Sequence, residues 1–218
     1  MNRGCKVVAE VLETAWEMEG AQKTLERQQN KSRIEVLEEA RVRECVKRCN
    51  GQWLSCAPEV LQHNGVEEGY FAGCVYELLE KGHGKYRNIM IVSAASSCGK
   101  RFLLNPLNVI YNTFSNPACT SFAWVGAEKA EGQLVHLPAS KSHYAKDIVF
   151  TGDTPIFATG KNPIVVVKNG LLDEKETEMM NMRWKIFRFR TQIAREKQKE
   201  LPACGKCFAT LILGEEGE

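Results

Sequence analysis

Between Ile89 and Leu104 the chain reads IMIVSAASSCGKRFLL: a short apolar run, a stretch of small residues, Gly-Lys, and a second apolar run. That order predicts a buried strand, a tight loop and a helix. It lies close to the pattern G-x-x-x-x-G-K-[ST], in which backbone N–H groups and a helix start surround phosphates. There the lysine neutralises phosphate oxygens and the hydroxyl holds Mg²⁺. Two positions depart from the pattern, Ala94 in place of glycine and Arg101 in place of the hydroxyl. Ala94 is tolerable, since a Cβ at a left-handed position costs on the order of 1 kcal/mol. Arg101 is more serious: it offers no oxygen to a metal and puts a cation where the divalent ion would sit. It can instead meet phosphate directly, keeping affinity while losing metal-dependent catalysis. Ser96, Ser97, Cys98, Gly99, Lys100 and Arg101 are the expected phosphate contacts. The plainer alternative is a strand–turn–helix corner with a surface lysine.

The 218 residues are enough for one core of ordinary size plus an extension. Net charge is only +2, so nucleic-acid binding by a global polycation is excluded and would need a local patch. No run approaches 18 consecutive apolar residues, and the polar N-terminus lacks a signal peptide's apolar stretch. The expectation is a soluble, intracellular protein, nuclear or cytoplasmic.

Residues 1–48 are expected to be helical throughout, with Val8, Val11, Leu12 and Ala15 on one face and a solvated stretch from Gln22 to Arg33. Phe71, Cys74, Val75, Leu78 and Leu79 form an apolar stripe at helical spacing, ended by Gly82 and Gly84. Lys85, Tyr86 and Arg87 lead into a strand at Asn88–Val92. Phe102 to Phe114 reads as a helix, restricted near its start by Pro106. Strands are expected at Ser121–Val125, Gln133–Leu137, Thr154–Ala158 and Ile164–Val167. A helix over Asp173–Met182 then precedes a strand over Trp184–Phe189. Helices mixed with strands, and a loop after the first core strand, predict an α/β sandwich with a largely parallel sheet. The divisions are an N-terminal helical extension (1–50), a helical lead-in (51–84), the core (85–190) and a C-terminal helix and tail (191–218).

The surroundings of the loop carry a family resemblance. The run VLQHNGVEEGYFAGCVYELLEKGHGKYRNIMIVSAASSCGKRFLLNPL resembles the lead into the ATPase domain of superfamily 3 helicases, the replication motors of parvoviruses and related mobile elements. EGQLVHLPASKSHYAKDIVFTGDTPIFATGKN resembles the stretch holding that superfamily's DNA-facing lysine hairpin and a strand ending in a polar sensor. The resemblance covers roughly residues 54 to 190 and points to an endogenised or transposon-borne relative of the parvovirus-type protein. It implies an AAA+-like P-loop NTPase three-layer sandwich, ATP and Mg²⁺ as ligands, DNA as partner and a ring-type homo-oligomer. Carried over, Lys100 matches the lysine on the β/γ-phosphates, and Thr159 and Asn162 match the sensor. Lys141 and Lys146 match the hairpin lysines, and Arg183 matches an arginine that reaches a neighbour's nucleotide. In the family the two sensor residues are usually adjacent; here Gly160 and Lys161 separate them. Lys141, Lys146 and Arg183 can also be read as ordinary surface cations.

One element of the family is missing. Where it has a strand ending in paired acids that hold Mg²⁺ and activate water, this chain runs WVGAEKAEGQLVHL, with only Glu128 and Glu131. About two dozen residues, including a central strand, are absent by that comparison, so the domain is expected to be incomplete. Phosphoryl transfer depends chiefly on positioning and on charge stabilisation by metal and cations. Without the loop hydroxyl and the acids, hydrolysis and unwinding are expected to be impaired. The alternative is a non-enzymatic remnant that binds protein or nucleic acid. A small P-loop kinase fits less well, because no lid or acceptor-site pattern is visible.

Nine cysteines, an odd number, suggest reduced thiols rather than a disulfide framework. Cys204 and Cys207 form a C-x-x-C knuckle, which with Cys45 and Cys49 would complete a tetrahedral zinc site only if these distant segments meet. Free thiols near a flexible end are the simpler reading, and spacing alone assigns no metal. His136 and His143 lack metal-ligand spacing. Trp53, Trp124 and Trp184 read as core anchors rather than base-stacking platforms.

Overall fold

The computed structural model describes residues 31–116, 132–136, 153–194 and 200–214. The chain divides into a unit of residues 1–32 and a unit of residues 33–218, and the second holds every described element. Those elements are helices α1 (Arg33–Val42), α2 (Gln52–His63) and α3 (Glu68–Lys81), strand β1 (Asn88–Val92), and short helices α4 (Lys100–Leu104) and α5 (Leu107–Ile110). Strands β2 (Thr113–Asn116), β3 (Gly132–His136) and β4 (Ile156–Gly160) follow, then the small pair β5 (Val167–Lys168) and β6 (Leu171–Leu172). Helix α6 (Glu174–Asn181), strand β7 (Trp184–Arg188) and helix α7 (Gly205–Leu213) complete the order.

The protein is α/β. Five strands form one sheet in the order β2-β3-β4-β1-β7, every neighbouring pair parallel. β1 is buried at all five positions, as a strand covered on both faces must be. Alternation divides the side chains between the faces. Ile89, Ile91, Phe157 and Phe187 join the larger core, while Met90, Val92 and Ala158 join a smaller one with Ile156, Ile164, Trp184 and Ile186. The larger core is completed by Leu37, Trp53, Leu61, Phe71, Leu78 and Phe208 from the helices. Trp53 is wholly buried there, and Trp184 packs against the smaller core, so both act as anchors.

Local chemistry explains where the elements begin and end. The Glu67 carboxylate accepts from the N–H groups of Gly69 and Tyr70 at the start of α3, and Gly82 ends the helix at φ 70°. A Cβ on Gly82 would stand 1.8 Å from the carbonyl oxygen of Asp153, so the chain leading into β4 passes where only glycine fits. Arg33 holds that same segment, its guanidinium on the Asp153 carboxylate at 2.9 and 3.2 Å and on the Leu79 carbonyl at 2.7 Å.

Several expectations need correction. α1 ends at Val42 and the chain then turns through left-handed Arg48, Asn50 and Gly51, so residues 43–48 are not helical. Residues 1–30 lie outside the described set, as do Ser121–Val125, Trp124, Lys141, His143 and Lys146. Phe102–Phe114 is not one helix. Pro106 cannot donate into it, α4 stops at Leu104, α5 covers one turn, and Phe114 belongs to β2. Ile164–Val167 is not a strand; regular pairing begins at Val167, across the Asn169-Gly170 turn, where both residues are left-handed (φ 51° and 81°). β3 fills the place between β2 and β4, and it ends at His136 rather than at a carboxylate.

Candidate functional site

At the carboxyl end of β1 the chain breaks into the loop from Ser93 to Gly99. Ser93 closes its first turn: its Oγ accepts from the N–H of Ala95 at 3.1 Å and donates to the Ala95 carbonyl at 3.2 Å. Ser97 and Gly99 have positive φ (52° and 90°), and Cys98 between them does not. Such an alternation of sign turns successive amides toward a common side. Gly99 has a second constraint, because a Cβ there would stand 2.4 Å from Cγ1 of Val60 on α2. Cys98 points inward and is buried, whereas Ser96 and Ser97 are exposed.

Lys100 begins α4 and folds back over the sheet edge. Its half-buried ammonium donates to the carbonyl of Ser93 at 3.1 Å and to that of Gly160 at 3.4 Å. These carbonyls close β1 and β4, which are also joined by Ser93 N–H to Gly160 O at 3.0 Å. The cation therefore sits one residue from Thr159, which is buried in β4 opposite Ile91. Asn162 is exposed, two residues beyond the end of β4.

Arg101 is exposed on the outer side of α4. Arg183 does not join the loop. It precedes β7, whose first residue pairs with Asn88, and so lies at the amino edge of the sheet, opposite Lys100. The carboxyl edge has a different arginine. Gly160, Val92 and Arg188 stand in one row across β4, β1 and β7, and Arg188 is exposed. Alternation in WKIFR was visible in the sequence, but the register that brings Arg188 to this edge was not. The strand after Arg188 continues along the loop, with Phe189 N–H bonded to Val92 O at 2.8 Å and Ile193 N–H to Ser97 O at 3.0 Å.

Among the described residues, the elements that meet at this edge carry cations and no carboxylate. None of the five strands contains an acidic residue, nor does the loop from Ser93 to Gly99. Lys100, Arg101, Lys161 and Arg188 are all in or just beyond the elements that end there. The donors suit an anion. They do not suit Mg²⁺, which binds through carboxylate, hydroxyl and phosphate oxygens.

A second group of reactive side chains lies away from this edge. The Sγ atoms of Cys45, Cys49, Cys204 and Cys207 all lie within 4.8 Å of one another. Cys45 is 3.5 Å from Cys204 and 3.8 Å from Cys207, and Cys49 is 3.6 Å from Cys207. The distant segments named by the sequence thus meet. Three of the four are buried and Cys45 is half-buried. Burial pushes the Cys49 and Cys207 thiols up. At Cys204 burial acts the same way but is outweighed by the backbone groups of Cys207 and Val46 and by neighbouring thiols, which bring it down to about 7.

No protein-family model matches the chain, and no curated protein matches it. The site must therefore be judged on its own geometry. Among the described residues no helix is long and apolar enough to cross a membrane.

Proposed function

We propose that the carboxyl edge of β1 and β4 is a nucleotide-phosphate site of P-loop type, in a domain of superfamily 3 helicase descent that binds ATP but is impaired in hydrolysis and unwinding. The observation that carries this reading is the placement of Lys100. Its ammonium lies where two adjacent parallel strands end, beside a loop with left-handed Ser97 and Gly99 and one residue from Thr159. In open α/β sheets that is the edge at which ligands bind. A triphosphate would replace the Ser93 and Gly160 carbonyls as partner of the ammonium, with Ser96 to Arg101 around it and Thr159 and Asn162 toward its terminal phosphate. Arg188 adds a cation to the same edge. Arg183, at the other edge, could act only on a neighbouring subunit's nucleotide. Lys141 and Lys146 remain the DNA contacts that the resemblance implies, and a ring-type oligomer remains part of that proposal.

The absence of acidic residues from all five strands favours a second reading of the same fold, as a non-enzymatic module that binds anions or a macromolecular partner. ATP titration with and without Mg²⁺ tests the first. The chain should bind ATP with little dependence on Mg²⁺. Lys100→Ala should weaken binding roughly tenfold or more, the ~1.5–3 kcal/mol of a charged hydrogen bond. Binding that is absent, or indifferent to Lys100→Ala, removes the nucleotide reading and leaves the second.

A further inference from the structure

The four sulfurs carry an inference independent of the nucleotide site. We propose that Cys45, Cys49, Cys204 and Cys207 bind one structural zinc ion as thiolates, clasping the turn after α1 to the start of α7.

Distance is the first argument. Zinc bound to four thiolates at about 2.3 Å requires sulfurs about 3.8 Å apart, the edge of the tetrahedron. The separations of 3.5, 3.6 and 3.8 Å, with all four atoms inside 4.8 Å, match that edge. They are well beyond the ~2.05 Å of a disulfide. They also leave room for a single ion among the sulfurs and none for an iron–sulfur cluster. A closed set of four protein ligands, without an open position, is the arrangement of structural rather than catalytic zinc.

The backbone is shaped for the same purpose. Between Cys45 and Gly51 it passes through three left-handed residues, two of them not glycine: Arg48 (φ 73°) and Asn50 (φ 43°). Non-glycine residues keep such conformations where the surroundings impose them. Here the turn brings Cys49 back under Cys45 and aims the Gly51 N–H at Cys45 Sγ, 3.5 Å away. On the other side, Cys204 stands at the N-terminal cap of α7 and Cys207 in its first turn. N–H groups directed at ligand sulfurs support thiolates at metal sites. The segments joined are about 160 residues apart in sequence, as in the pair Cys45 and Cys204 (separation 159).

The test uses the full chain purified without chelator. Metal analysis should find one zinc per chain, and Co²⁺ exchanged into it should give the intense visible bands of a tetrahedral tetrathiolate complex. Cys45→Ser and Cys204→Ser should each bring zinc to background, whereas Cys56→Ser and Cys74→Ser should retain it. Should the first two variants fail to fold, the cobalt spectrum of the unsubstituted chain decides, together with stepwise zinc release on titration with a mercurial. A chain without zinc, with stoichiometric iron, with a disulfide among these cysteines, or with cobalt bands of nitrogen and oxygen ligation overturns the proposal.

Discussion

At Gly99 two independent demands meet on one residue. Its φ of 90° disfavours any side chain by about 1–2 kcal/mol, and a Cβ would overlap Cγ1 of Val60. Gly99→Ala should therefore lower the urea midpoint by more than the backbone effect alone. Adding Val60→Ala should recover the overlap but not the backbone part; strict additivity of the two changes would show that the residues do not meet. Two positions along, Arg101→Thr supplies the missing hydroxyl. It should make ATP binding more dependent on Mg²⁺, and titration at fixed ATP with varied Mg²⁺ would detect this. No change would mean that the loop cannot present residue 101 to a metal. The strand–loop–helix turn around Gly99 and Lys100 was legible in the sequence because it is set by neighbours along the chain, whereas their contacts with Val60 and Gly160 were not. Arg188 was not, since its place depends on which strand lies beside β1.

Among the elements, β7 is tied to the helices by Lys185, whose ammonium donates to the Glu77 carboxylate on α3. That hydrogen bond, ahead of the opposing effect of burial, holds the Glu77 carboxyl below its usual range. A lowered folded pKa gives stability that is present above the unfolded value of ~4.3 and lost as pH falls below it. Glu77 is 35% exposed, so screening limits the effect to ~1 kcal/mol or less. Glu77→Gln should flatten the acid limb of stability against pH below about 4.5 and leave the neutral region lower by the same small amount. Urea unfolding at a series of pH values would measure it, and an unaltered acid limb would show that the pair contributes nothing. An apolar stripe at helical spacing made α3 readable in advance, and a continuous apolar run did the same for β1. The failures came where one residue outweighed a pattern. Pro106 divided an apolar run into two short helices, and Asn169-Gly170 placed a hairpin where a longer strand was expected. The first described helix stopped at Val42, well before the left-handed turn from Arg48 to Gly51, where propensity alone would continue it.

For the whole molecule, α7 matters beyond its length. Phe208, Ala209, Leu211 and Ile212 are buried against helices from the other end of the described chain. Removing residues from Glu200 onward should abolish cooperative thermal unfolding, followed by circular dichroism, and should increase binding of a hydrophobic dye; an unchanged melt would deny α7 its place in the core. The mixed, parallel architecture was legible because strands and helices interchange along the sequence, but the order β2-β3-β4-β1-β7 depends on long-range register that no local pattern encodes. The meeting of the cysteines was hidden for the same reason. The clasp also has a bearing on how this scaffold can vary. Closing a ring of that size costs an entropy that grows only with the logarithm of its length, so two dozen residues more or less would change it by ~0.1 kcal/mol. Segments inside the ring can thus lengthen or shorten, and change their chemistry, without loosening its fastening.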